Sequence, residues 1–265
     1  MKKQAIISFS VLLFLLLIMA VLISETVFKS KTEAVIATIT NQEQFIYPDI
    51  NQIKDPLKKE EVNHGKDIMV NTAEELNGYT GNHLSCVSCH TNGGLTQSLS
   101  FVGVAKKYPS YSERDKKVIS LADRINGCMV RSMNGEKLPE YSSDLKDMVS
   151  YIEFLSKDIK DPENAEWLQP IEMNSMPDTG NEDGERLYQQ NCLRCHGSDG
   201  KGSDIAPALW GEDSYNDGAG MSHPNKAAGF ILENMPMDSP GSLTKAEAAA
   251  IAKYIDKQKR PHFNE

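Results

Sequence analysis

Two pentapeptides of the pattern Cys-x-x-Cys-His stand out in this chain: Cys86-Val87-Ser88-Cys89-His90 and Cys192-Leu193-Arg194-Cys195-His196. Thiols at this spacing can add across the two vinyl groups of a porphyrin, and the adjoining imidazole then sits under the iron. The chemistry implied is covalent attachment of two c-type haems through Cys86, Cys89, Cys192 and Cys195. His90 and His196 are the proximal iron ligands in that reading. Zinc would need further Cys or His at ligand spacing beside each pair, and there is none. A thioredoxin-type dithiol would need a βαβ pattern around it, which is also missing.

Of five cysteines, four are used in this way and Cys128 is left over. No disulfide can be built without dismantling a haem site. Cys128 therefore has a partner elsewhere, or is a reactive thiol, or fills the second axial position of an iron. On a helix, Arg124, Cys128 and Ser132 recur at i, i+4 and i+8 and share one face, with Arg131 beside them. Guanidinium groups flanking a thiol favour the thiolate, the form that binds metal. The bland alternative is an inert buried cysteine with surface arginines. In the second half, the Met235-Pro236 pair supplies a thioether, a soft ligand that favours Fe(II). Met237 competes with Met235 for that role, and Met221 and His223 compete more weakly.

These residues have to be held by small helical domains. With 265 residues the chain has room for two. Strand signals are sparse, so the expected fold is mainly α: two cytochrome c-like domains, each wrapped round one haem. A helix is expected over about 56–76, leading into the first haem loop. Ser112 reads as the N-cap of a second helix over about 113–133, with Val118, Leu121, Ala122, Ile125 and Met129 at helical spacing. A third runs over about 142–156. The Pro-, Asn- and Glu-rich stretch 161–179 reads as a linker. Residues 184–190 form a short helix before the second pentapeptide. A last helix spans about 244–257, opened by a capping box of Thr244 and Glu247. The domains expected are thus 56–160 and 180–265.

At the N-terminus, Lys2 and Lys3 precede a run without charge from Ala5 to Ile23, about the length of a membrane-spanning helix. No small-x-small site precedes Glu25, so an uncleaved anchor over 1–24 is preferred to a cleaved signal. Residues 25–55 then form a polar tether. Lys2 and Lys3 stay on the cytoplasmic side, which puts the haem domains outside, where bacterial haem attachment takes place. The net charge of −9 argues against nucleic acid as a partner. The charge is uneven: residues 101–131 hold seven Lys or Arg against three Asp or Glu, while 180–265 hold nine against thirteen. The first domain is therefore suited to a small anion and the second to a different partner.

The second domain resembles the monohaem cytochrome c fold in Gly184-x-x-x-Tyr188-x-x-x-Cys192-x-x-Cys195-His196-Gly197, Gly200-x-Gly202, Pro207-x-Leu209 and Met235-Pro236. That likeness implies that the Pro207 carbonyl orients His196 and that Met235 is the distal ligand. The chain as a whole, over about 60–260, resembles the dihaem thiosulfate dehydrogenases. The residues that carry this are Leu84-Ser85-Cys86-x-x-Cys89-His90 with Gly93-Gly94, Tyr108-Pro109-x-Tyr111, and Arg124-Ile125-Asn126-x-Cys128-Met129-x-Arg131-Ser132-Met133-Asn134-Gly135. Their first domain is related to the haem-thiolate subunit of sulfur-oxidising cytochromes. The resemblance implies an active-site haem ligated by His90 and Cys128, and an electron-exit haem ligated by His196 and Met235. Some members have a lysine before the methionine as an alternative ligand. Here that position is Asn234, and no lysine switch is expected.

The implied reaction joins two thiosulfates into tetrathionate and passes two electrons to an external acceptor, such as a small cytochrome or a membrane oxidase. Arg124 and Arg131 would hold the sulfonate ends as bidentate donors, and Ser132 would add a hydrogen bond. Proximity and charge neutralisation then account for much of the catalysis. A nucleophilic role, with Cys128 leaving the iron to carry a sulfane sulfur, is also open to it. The alternatives are a non-enzymatic dihaem electron carrier, or the same fold working as a tetrathionate reductase.

Overall fold

A computed structural model describes residues 43–264 except 170, 172 and 181, together with 19, 23–24 and 27–29. Apart from Met19 and Ile23, the apolar segment 5–23 read as an anchor lies outside the described residues. Among the described residues, no helix is long and apolar enough to cross a membrane. The end of the stretch expected as a tether is described, and Phe45, Ile50 and Ile53 pack against the core of the first domain.

Helix α1, Pro56–Val70, starts where Asp55 accepts from the Leu57 N–H and Pro56 supplies a preset φ. It stops at Asn71, short of the expected end, and Thr72–Glu75 forms a separate turn. The Thr72 hydroxyl serves two elements at once: it donates to the Ile68 carbonyl and accepts from the Cys86 N–H at 3.0 Å. The end of α1 is thereby tied to the first haem loop.

The helix expected over 113–133 is a correction. Ser110–Ser112 (β1) and Lys117–Ile119 (β2) pair as an antiparallel hairpin, and helix α2 begins only at Leu121 and runs to Arg131. Two local devices explain the difference. Ser112 holds the hairpin turn rather than a helix, its Oγ donating to Asp115 Oδ2 and accepting from the Asp115 N–H. The first amides of α2 are satisfied by a capping box of Ser120 and Asp123. Helix α3, Ser143–Ser156, then crosses α1 closely at Gly65, where a Cβ would lie 1.9 Å from the Asp147 carbonyl oxygen. Ile68, Met69, Met129, Met148 and Tyr151 fill the space between these helices and are almost inaccessible to water.

In the second domain, helix α4 spans Gly184–Asn191, α5 Pro224–Asn234 and α6 Lys245–Asp256. Helix α5 was not anticipated, although Pro224 at its first turn is a start signal. The capping box of Thr244 and Glu247 opens α6. Helices α4 and α6 cross at Gly184, where a Cβ would stand 2.3 Å from the Ala250 carbonyl oxygen. Small residues, Ala248, Ala249 and Ala252, share the core of this domain with Tyr188 and Ile251.

The loop 211–222 of the second domain packs into the first, where Tyr215 and Ala219 join its core. Asn216 is buried there. Its Nδ2 donates to the Val130 carbonyl at 2.8 Å, and its backbone N–H donates to the Arg131 carbonyl at 3.2 Å. Buried Asn82 donates in turn to the Ser132 and Ser214 carbonyls. The last carbonyls of α2, which a helix leaves without intrahelical partners, are thus met by two asparagines.

Candidate functional site: two haem loops and an arginine-rich pocket

The second pentapeptide follows α4 directly. Tyr188 donates its hydroxyl to the Gly197 carbonyl at 2.7 Å and packs its ring at a tilt against Trp210 and Tyr254, which fixes the loop after His196. Gly200 has φ +63 and lies against Trp210, where a Cβ would clash at 2.2 Å. His196 Nδ1 lies 2.9 Å from the Pro207 carbonyl. A carbonyl can only accept, so Nδ1 carries the proton and the Nε2 lone pair is free for a metal. A cavity of about 430 Å³ opens beside Cys192, Cys195 and His196, bounded by Pro207, Ile231 and Ile251. Its apolar walls and the neighbouring thiols, imidazole and thioether suit a covalently held porphyrin. Met235 lines this cavity and packs against the second core. Met237 borders it with 67% of its surface exposed. Met221 lines it from the turn at 220–222, and His223 stands at the N-cap position of α5.

The first pentapeptide opens with a turn, Cys86–Ser88, and Thr72 Oγ1 lies 3.3 Å from Cys86 Sγ. His90 Nδ1 is 2.6 Å from the Leu99 carbonyl, so this imidazole too is held with Nε2 free. Phe101 stacks on the ring at 4.3 Å. Burial pushes His90 down to about 4, against the pull of the Leu99 carbonyl, which keeps the imidazole neutral as a ligand must be. No sequence reading had marked Leu99, because the carbonyl is not a proline's. The one local sign is its left-handed backbone at φ +48, a conformation that a leucine adopts only where its surroundings demand it.

Facing this loop is α2. Cys128 lies close enough to Cys86 and Cys89 that its charge adds to the rise in both thiols, which burial pushes up to about 12. Arg124 Nη1 donates to Cys128 Sγ at 2.8 Å. The Cys128 charge and the Tyr108 hydroxyl hold the Arg124 guanidinium still more firmly protonated. Arg131 folds back over Gly127, where a Cβ would meet its Nη2 at 2.4 Å. Burial and the nearby charge of Arg114 pull Arg131 below its ordinary value, with Arg124 adding to the effect and Cys128 opposing it. Arg124, Cys128 and Arg131 are therefore brought together as one cationic pocket round a sulfur. Ser132 is the C-cap of α2, and its carbonyl accepts from Asn82. Tyr108 and Arg114 belong to the same cluster, a placement that the sequence reading does not include. The Tyr108-Pro109 pair was the available signal for the first, and the cluster of positive charge over 101–131 for the second.

Comparison with known proteins follows the same division. A family model described as the SoxA/TsdA cytochrome c domain matches residues 76–160, and one described as cytochrome C oxidase, cbb3-type, subunit III, matches 179–255. A thiosulfate dehydrogenase of Psychrobacter arcticus is 37% identical over 224 residues, covering 81% of this chain and 68% of its own length. A thiosulfate dehydrogenase of Allochromatium vinosum is 36% identical over 221 residues, covering 78% of this chain and 80% of its own. Among solved structures, a thiosulfate dehydrogenase (TsdBA) from Marichromatium purpuratum matches with a TM-score of 0.77 at 28% identity over 85% of this chain. This chain spans 51% of that longer one.

Proposed function

We infer, because this chain belongs to the thiosulfate dehydrogenase family, that it oxidises two thiosulfates to one tetrathionate and delivers two electrons to an external cytochrome-type acceptor. It carries two covalently bound haem c groups, one in each cytochrome c domain. When bound, the haems supply one-electron redox capacity in two successive steps. His90 and Cys128 would hold the first iron, and His196 and Met235 the second.

The rest of the chemistry falls to side chains. One S–S bond forms between two sulfane sulfurs, no proton is exchanged, and the four negative charges of the substrates become two on the product as two electrons leave. The obstacle is the mutual repulsion of two dianions. Arg124 and Arg131 offset it by holding the sulfonate ends, with Arg114 adding positive charge nearby, and their fixed positions require no reorganisation as the sulfurs close. Cys128 faces the point where the sulfane sulfurs meet, and Ser132 stands at the end of the same helix.

The observation that carries this reading is the Arg124 bond to Cys128 Sγ at 2.8 Å within a pocket of guanidinium groups. A simple electron carrier has no use for a guanidinium bonded to a sulfur with further guanidinium groups beside it. The decisive test is tetrathionate formation from thiosulfate by the purified dihaem protein with an artificial electron acceptor. Reduction of the haems by dithionite but never by thiosulfate would overturn the assignment.

The same reading puts the haem domains on the outer side of the cytoplasmic membrane, held by residues 5–23. Support comes from the uncharged run behind Lys2 and Lys3 and from the need for haem attachment outside the cytoplasm. Membrane fractionation together with N-terminal sequencing tests it, and a mature N-terminus near Glu25 would replace the anchor with a cleaved signal.

A further inference from the structure

The segment 259–264 that follows α6 does not stop at its own domain. The Lys259 carbonyl accepts from the Gly211 N–H, and the Pro261 carbonyl accepts from the Asp217 N–H. Asp217 then grips the segment from the other side. Its Oδ1 accepts from the Phe263 N–H at 2.7 Å, and its Oδ2 is 2.6 Å from His262 Nδ1. The Phe263 N–H is the largest cause of the Asp217 carboxyl lying below its ordinary value, followed by His262. Gly218 makes room for the ring, since a Cβ there would lie 2.7 Å from Phe263. The Gly218 carbonyl accepts from Arg114 Nη1 at 2.9 Å. The outcome of these contacts is one placement: the Phe263 ring lies under the Arg131 guanidinium, with Cζ 5.9 Å from the ring centroid.

We propose that Phe263 is a positioning residue for thiosulfate, and that 259–264 is a strap by which the second domain holds Arg131 at the substrate pocket of the first. Arg131 stands among like charges. Arg114 and Arg124 act against it, with Cys128 and Asp115 acting in its favour, and without support its side chain gains by swinging out to water. A carboxylate placed against it would fix it, but would also cancel the charge that a dianion needs. An aromatic face attracts a guanidinium through its quadrupole and leaves the full charge available. It also fixes the plane of the guanidinium, on which bidentate recognition of an oxyanion depends. Phe263 answers that requirement, and Asp217 uses its carboxylate on the Phe263 N–H and on His262 rather than on Arg131.

This inference rests on thiosulfate being the substrate, and the experiment separates the two. Steady-state kinetics are measured on the dihaem protein and on Phe263→Ala, Phe263→Leu, Phe263→Tyr and Asp217→Ala, with haem content and thermal midpoint recorded for each. Phe263→Ala raises the KM for thiosulfate by roughly threefold to tenfold, the range of a partly desolvated cation–π contact, while kcat changes less than about twofold. Phe263→Leu behaves like the alanine variant, Phe263→Tyr recovers the KM, and Asp217→Ala raises it in the same direction. In an Arg131→Ala background, Phe263→Ala adds nothing further. A merely structural role would lower kcat, haem content and thermal midpoint together and would be additive with Arg131→Ala. That additivity, or a parent-like KM in Phe263→Leu, would overturn the strap. A parent protein that forms no tetrathionate would overturn the thiosulfate reading, and the strap's role with it.

Discussion

Asn234 Nδ2 donates to Ser98 Oγ at 2.8 Å, and this one bond joins the surroundings of the two haem loops. Ser98 precedes Leu99, whose carbonyl orients His90, and Asn234 precedes Met235, which lines the second cavity. A second bond from the same amide to the Phe230 carbonyl anchors Asn234 on α5. Hydrogen bonds just outside a ligand set tune the metal inside it. Asn234→Ala should therefore shift the reduction potential of the second haem, read by redox titration of its optical spectrum, while the thiosulfate KM stays at the parent value. A changed KM with an unchanged potential would assign Asn234 to the substrate pocket instead.

Cys128→Ala should abolish turnover with both haems still attached, because attachment depends on Cys86, Cys89, Cys192 and Cys195. Arg124→Ala should lose about 10-fold to 100-fold in kcat/KM, the worth of a charge-assisted hydrogen bond, and should do so through KM and kcat together. Haem content by mass spectrometry and initial rates at saturating acceptor check both. Retention of most activity by Cys128→Ala would move the chemistry out of the first domain.

Met235 and Met237 separate in one experiment. Met235→Ala removes a ligand that favours Fe(II), so the second haem should fall in potential and its thioether spectrum should vanish. Met237, with 67% of its surface exposed, should be replaceable by alanine without either change. The reverse pattern in near-infrared magnetic circular dichroism would exchange their roles.

Much of this was legible in the sequence, and the parts that were not share a cause. The haem loops, the grouping of Arg124, Cys128 and Arg131, and the capped final helix depend on spacing along one element, which sequence records directly. The hairpin at 110–119 was misread because Val118 continues the helical spacing of Leu121 and Ile125, while Ser120 and Asp123 are the stronger start signal. Leu99, Asn216 and Phe263 were out of reach for a different reason. Each acts through a contact with residues far along the chain, and no local pattern distinguishes an asparagine that caps another domain's helix from one on a surface.

His64 gives a pH dependence away from either haem. Its Nδ1 lies 2.7 Å from Asp147 Oδ2 across the α1–α3 crossing. This bond, with the charges of Asp147, Asp144 and Glu75, raises the imidazole above its ordinary 6.5 despite partial burial. A raised histidine contributes stability that is complete below its unfolded pKa and is lost as pH rises through the folded one. Denaturant midpoints should therefore decline modestly as pH rises through the range just above 6.5, and His64→Gln should remove that component of the slope. The effect is small because the side chain is 43% exposed. A slope unchanged in His64→Gln would place its origin elsewhere.

The asparagines at the end of α2 limit how separable the two halves of this molecule are. Cutting the chain between the halves would leave the Val130 and Arg131 carbonyls without the Asn216 groups that meet them, and Asn82 without its bond to Ser214. Each such hydrogen bond contributes about 0.5–1.5 kcal/mol, and together they are a sizeable share of the stability a small domain has. Haem attachment is modular, since each loop carries its own thiols and histidine, but folding is not. The first domain closes only on its neighbour, so the two should melt as a single cooperative unit. Any exchange of the second domain between relatives would have to carry the 211–222 loop with it, or lose the contacts that close the end of the helix bearing Cys128.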